Sequence, residues 1–119
     1  MKRTAFLTAV VVAIALLAAS APAADKVTVT GYLIDRSCGA KPERAATHSR
    51  ACTEKCAGSG LGVVADGKFS AFDERGNQLG ADLLKSAKQS KGVRVVVEGT
   101  RDGELLNVTS VKEAPEAAQ

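Results

Sequence analysis

The sequence predicts a mostly β fold, a five-stranded β-barrel with two helices, and three observations support this class. Segments rich in β-branched residues alternate with short turn segments along most of the chain. Asp66-Gly67 is a strong signal for a two-residue hairpin. Two stretches have the composition or the apolar spacing of helices. The predicted order is strand, helix, strand, strand, helix, strand, strand.

Each predicted element rests on a local pattern. Composition and turn signals place strands at residues 26–34, 61–65, 68–72, 93–98 and 105–111, with a bulge or bend in the first of them at Gly31. Helix one is predicted over 43–56, because Pro42 suits a first helical turn and good helix formers follow without glycine or proline. Helix two is predicted over 79–88, where apolar residues recur with helical spacing.

The start of the chain has the pattern of a secretory signal peptide. Lys2 and Arg3 give a positive start, residues 5–19 form an uncharged apolar run of about 15 residues, and small residues end at Ala23. The run is shorter than the ~20 residues that span a bilayer. We therefore expect residues 1–23 to be removed by cleavage after Ala23. The mature protein is expected to be periplasmic or secreted, without stable membrane insertion.

The mature chain has almost no net charge. Without Lys2 and Arg3 it holds 14 basic and 13 acidic residues, which gives no electrostatic reason to expect nucleic acid or an anionic membrane as a partner. Residues 24–111 are predicted to form one domain, and the polar residues 112–119 a disordered tail. A domain this small has a small core, and such domains often depend on a metal ion or a disulfide.

The order of elements suggests a particular barrel. Without helix one, three strands, a helix and two strands remain, which is the order of the OB-fold, a five-stranded barrel. Residues 38–60, which contain helix one, then become a helical insert between strands one and two, in a connection that OB-folds use for binding. An open α+β sheet is the competing fold.

All three cysteines and the only histidine lie in this insert, at Cys38, His48, Cys52 and Cys56. Three thiolates and an imidazole suit a soft tetrahedral ion such as zinc or copper. Cys52 is the predicted central ligand, because residues four apart on a helix share a face. On an unbroken helix His48 and Cys56 would be ~12 Å apart along the axis. Either the helix unwinds before Cys56 or only three of the four residues bind one ion.

Two other interpretations of the same cysteines stay open. Cysteines of exported proteins tend to pair, so Cys38 could form a disulfide with Cys52 or Cys56 and leave one free thiol. The protein would then be an envelope protein without metal, in which the disulfide either stabilises the insert or takes part in thiol–disulfide exchange. The sequence marks no set of nucleophile, base and acid, although Cys and His four apart could act as such a pair. The pattern favours a binding protein over an enzyme.

The chain resembles small exported bacterial proteins with an OB-like barrel and a Cys/His-rich insert. The matching segments are Gly31-Tyr-Leu-Ile-Asp35 with Cys38, then His48, Cys52 and Cys56, then Ser59-Gly-Leu-Gly-Val-Val, Asp66-Gly-Lys-Phe, Val95-Val-Val-Glu-Gly99 and residues 105–111. The resemblance covers nearly the whole mature chain. It implies the fold and the compartment, and it implies no activity, because these proteins have none that is settled.

Overall fold

A computed structural model describes residues 25–115 of the 119-residue chain. The predicted signal peptide (residues 1–23) lies outside the described residues, as do residues 116–119 of the predicted tail. Within the described part the chain is mostly β, as predicted, with five strands in one mixed sheet and a few short helices. The strands are β1 (Lys26–Asp35), β2 (Leu61–Ala65), β3 (Lys68–Phe72), β4 (Arg94–Asp102) and β5 (Leu105–Glu113).

The sheet closes on itself in the order β1-β2-β3-β5-β4, because β1 pairs with both β2 and β4. All pairs are antiparallel except β3 with β5, which is parallel. The hairpin between β2 and β3 turns at Asp66 and Gly67, both with positive φ, as their sequence predicts. The predicted insert lies in the connection between β1 and β2.

Strand β1 changes partner along its length. Its residues 26–32 pair with β4, and its residues 32–35 pair with β2. The change occurs next to Gly31, where a Cβ atom would lie 2.2 Å from the carbonyl oxygen of Val64. Only glycine allows this close approach of two backbones. The register of β1 with β4 continues without a shift through Gly31, so the strand has no bulge there.

The main core lies inside the closed sheet and under the helix α3 (Glu74–Ser86). Asp73 caps this helix by accepting a hydrogen bond from the Gly76 amide at 2.9 Å, and the same carboxylate oxygen accepts from the Val108 amide at 3.1 Å. The predicted helix two is therefore present, but it starts at residue 74 rather than 79. The fully buried side chains of this core include Leu33, Leu61, Val63, Phe72, Leu84, Val95, Val97 and Leu106.

The insert is not the single helix that was predicted over 43–56. It contains α1 (Arg36–Gly39), a 3₁₀ helix (Pro42–Thr47), α2 (Arg50–Cys56) and a second 3₁₀ turn (Ala57–Ser59). The chain is extended at His48 (φ −68°, ψ 129°) and at Ser49 (φ −71°, ψ 144°), which separates the 3₁₀ helix from α2. Ser49 then starts α2 by accepting a hydrogen bond from the Cys52 amide at 3.1 Å.

The predicted disordered tail starts too early. Strand β5 continues through Glu113, and Ala114 is 5% exposed. The Ala114 amide donates to the Arg94 carbonyl at 2.8 Å, and the Ala114 carbonyl accepts from the side chain of the buried Gln89 at 3.0 Å. These contacts tie the chain down until residue 114. No helix of residues 25–115 is long and apolar enough to cross a membrane.

Candidate metal centre

Asp35, Cys38 and His48 come together where β1 ends and the insert begins. One donor atom from each residue, a carboxylate oxygen, a thiol sulfur and an imidazole nitrogen, lies within 4.8 Å of the other two. Two ligand atoms bound to one tetrahedral zinc ion are roughly 3.3–3.8 Å apart, given metal–ligand distances of ~2.0–2.3 Å. A shift of about 1 Å would bring these three side chains into coordination distance.

Asp35 is fully buried at the last position of β1. One of its carboxylate oxygens accepts hydrogen bonds from the Ser37 hydroxyl and, at 3.0 Å, from the Cys38 amide, so that Asp35 caps α1. Its other carboxylate oxygen is 3.1 Å from Nε2 of His48. Burial alone would raise the pKa of Asp35, but the hydrogen bonds from Ser37 and Cys38 together hold it below its usual value.

Cys38 is half-buried in α1 and packs against a small apolar cluster between the insert and the sheet. The buried members of this cluster are Ile34, Ala45 and Val64. Burial raises the pKa of the Cys38 thiol, the charge of Asp35 and a hydrogen bond to it raise it further, and Cys56 adds a smaller effect of the same sign. Without a metal ion, the sulfur of Cys38 is therefore held as a thiol.

His48 is held in place by the segment that precedes β4. Its carbonyl accepts a hydrogen bond from the Gly92 amide at 2.9 Å, and the next residue but one, Arg50, donates its amide to the Ser90 carbonyl at 2.9 Å. Ser49 and Lys91 form an isolated antiparallel bridge between these hydrogen bonds. This pairing replaces the predicted helical turn at residue 48 and directs the imidazole at Asp35.

Gly92 makes this pairing possible. Its φ is +54°, and a Cβ atom there would lie 2.2 Å from the carbonyl oxygen of Ala46. A side chain at position 92 would therefore push the insert away from the sheet. The position of His48 thus depends on a glycine 44 residues further along the chain.

The structure brings Cys38 and His48 together and leaves Cys52, the predicted central ligand, outside the group. Cys52 is exposed, because the inward position of α2 is taken by Thr53, which is 1% exposed and hydrogen-bonded to the Ser49 carbonyl. Cys56 is half-buried at the end of α2 and also lies outside the group. All three cysteines are free thiols.

Asp35 belongs to the converging group, and the sequence analysis did not select it as a candidate ligand. An aspartate after a strand is adequately explained as a turn or cap residue, and Asp35 does cap α1. The available signal was its position, since Asp35-x-x-Cys38 places a carboxylate and a thiol on either side of one tight turn. This spacing indicates a metal site only once His48 is known to lie beside Asp35 and Cys38.

The buried carboxylate of Asp35 predicts a defined acid sensitivity. Because its pKa is lower in the folded chain than the usual 3.8, its contribution to stability is fully present above about pH 4 and is lost as the pH falls further. In urea unfolding at a series of pH values, wild type should be more stable than Asp35→Asn near pH 7, and the difference should shrink below about pH 4. A difference that stays constant with pH would contradict this.

No family model, curated protein or solved structure matches the chain. The interpretation of the site therefore depends on its own geometry and chemistry.

Proposed function

We propose that this protein is an exported binding module that holds a soft transition-metal ion such as zinc or copper. The observation that carries the proposal is the convergence of Asp35, Cys38 and His48 within 4.8 Å. Thiolate, imidazole and carboxylate are the donors that zinc takes in proteins, and thiolate with imidazole also suits copper. On this proposal the closed sheet is an OB-type barrel, supported by the strand order with α3 between β3 and β4.

The surroundings of the three donors support a binding role. The carboxylate of Asp35 is oriented by hydrogen bonds from the Ser37 hydroxyl and from the Cys38 amide. Such supporting hydrogen bonds orient ligands in known metal sites. Binding would release the proton of Cys38, because the thiolate is the form that coordinates.

The number of protein ligands distinguishes a structural ion from one with an open coordination position. Three ligands leave the fourth tetrahedral position open to water or to an exchangeable partner, whereas four make a closed structural site. Cys56 is the remaining candidate for a fourth ligand, because it is half-buried at the end of α2 whereas Cys52 is exposed.

The same residue types could serve as nucleophile, base and acid, but the thiol argues against that chemistry. A nucleophilic cysteine needs a lowered pKa, and that of Cys38 is raised by burial and by Asp35. Burial and the charge of Asp35 disfavour a free thiolate at Cys38, so its sulfur is expected to carry either a proton or a metal ion. We therefore place ion binding ahead of catalysis and of thiol–disulfide exchange.

Native mass spectrometry of the purified mature protein tests the proposal directly. After addition of one equivalent of zinc to the reduced protein, we expect a mass increase that corresponds to one zinc ion per chain. A mass equal to the bare chain after zinc addition would overturn the proposal. A mass two hydrogens lower on isolation, unchanged by zinc, would support the disulfide-stapled alternative.

A further inference from the structure

The first half of β1 has one edge that no strand covers in residues 25–115. Residues 26–32 pair with β4 on one side, but pairing with β2 on the other side begins only at Tyr32. Strand β2 ends at Ala65, and the hairpin turn follows at Asp66 and Gly67. The stretch of β1 before Tyr32 therefore extends past the end of β2.

Three hydrogen bonds show which backbone groups of β1 point to that edge. The Leu33 amide donates to the Val93 carbonyl at 2.8 Å, and the Asp25 carbonyl accepts from the Arg101 amide at 3.1 Å. The backbone amides and carbonyls of odd-numbered residues of β1 therefore point towards β4.

The backbone groups of even-numbered residues point the other way. The Arg36 amide, just after β1, donates to the Gly60 carbonyl at 2.8 Å, on the β2 side. Because backbone groups alternate between the two edges of an antiparallel strand, the amides and carbonyls of Thr28 and Thr30 face the uncovered edge.

This edge opens into a cleft with a volume of about 790 Å³. Its walls come from β1, from the β2–β3 hairpin and from the turn between β4 and β5. The side chains of Val27 and Val29 pack against the core, while Thr28 and Thr30 are exposed. The cleft thus offers unpaired backbone groups two residues apart, beside solvent.

The rim of the cleft carries charges of both signs. Lys68 and Arg101 supply two positive charges, and Asp66 and Glu104 supply two negative charges. Within residues 25–115 none of the four has an ion-pair partner, although Arg101 donates to the Ser70 hydroxyl at 3.1 Å. A ligand with an extended backbone and side chains of both signs would complement this rim.

We infer that this cleft binds an extended segment of another polypeptide, which adds as a strand to the free edge of β1. Strand addition draws affinity from backbone hydrogen bonds and selectivity from alternate side chains. The amides and carbonyls of Thr28 and Thr30 supply up to four such bonds, and the charged rim and Phe69 contact the side chains. The site is separate from the metal centre at the other end of β1, so the two proposals can fail independently.

The test uses a displayed library of random nine-residue peptides against the full mature protein. We expect selected peptides to slow amide hydrogen exchange at Thr28 and Thr30, while Val27 and Val29, already bonded to β4, change little. A library that yields no binder, or binders that protect other residues, would overturn the proposal. Protection that rises with protein concentration alone, together with a dimer in sedimentation, would assign the edge to a second copy instead.

A matched pair of variants tests the hydrogen bond itself. Thr28→Pro removes the amide that faces the cleft, at an edge position where proline is tolerated, and should weaken the selected peptide about tenfold, the upper end of the effect of losing one backbone hydrogen bond. Thr28→Val keeps the amide and should stay within about twofold. Equal affinities for the two variants, with unchanged zinc binding in both, would contradict strand addition.

Discussion

Changing Cys38 to serine should lower the affinity for zinc at least a hundredfold, whereas changing Cys52 to serine should leave it within about threefold. Loss of a residue that merely orients a ligand costs ~10–100-fold, so loss of the ligand itself should cost no less. Cys38 belongs to the converging group, and Cys52 is exposed outside it. Competition with a chromophoric chelator on the reduced proteins measures both affinities.

Two further variants make this comparison decisive. His48→Ala should lose affinity as Cys38→Ser does, because His48 contributes the imidazole. Cys56→Ser separates a three-ligand from a four-ligand site: an unchanged affinity means an open position, and a large loss means a closed one. If Cys52→Ser proved as damaging as Cys38→Ser, the site would be centred on α2, as its helical spacing suggested.

Changing Leu84 to alanine should destabilise the protein by about 2–5 kcal/mol, the usual range for removing a buried leucine side chain. Leu84 joins α3 to the core of the closed sheet and is 1% exposed. In a domain of this size each kcal/mol lowers Tm by ~4–8 °C. We therefore expect thermal unfolding at least about 8 °C below that of wild type.

The matched control is Leu105→Ala, the same substitution in β5. Leu105 is 37% exposed, so its truncation leaves no enclosed cavity and should cost less than about 1 kcal/mol. Urea unfolding at one pH, with metal removed from both variants, compares the two directly. An equal decrease in the free energy of unfolding for the two variants would mean that α3 does not pack against the core of the closed sheet.

The strands were predictable because each is a local pattern. The Asp66-Gly67 turn and the segments at 61–65 and 68–72 coincide with the hairpin in the structure. The start of α3 was not predictable from apolar spacing, because its first turn is polar and contains Gly76. Asp73 marked that start, but an aspartate that ends a strand and one that caps a helix look alike in a sequence.

The structure of the insert was not predictable from local sequence patterns. Residues 43–56 favour a helix by composition, yet pairing of Ser49 with Lys91 extends the chain at His48. Helical spacing therefore made Cys52 central, whereas tertiary contacts bring His48 to Asp35 and turn Cys52 to solvent. The sequence located the stretch that holds two of the three donors, and long-range contacts selected which residues meet.

On the proposed function, the pairing of His48 with the segment before β4 would give a bound ion a mechanical role. Asp35 ends β1 and Cys38 lies in α1 directly after it, whereas the backbone of His48 is hydrogen-bonded to Gly92. An ion shared by these three side chains would act as a removable crosslink between two distant parts of the chain. Binding and release of the ion would then alter the hydrogen bonds that residues 90–92 make with the insert, at the point where the chain enters β4.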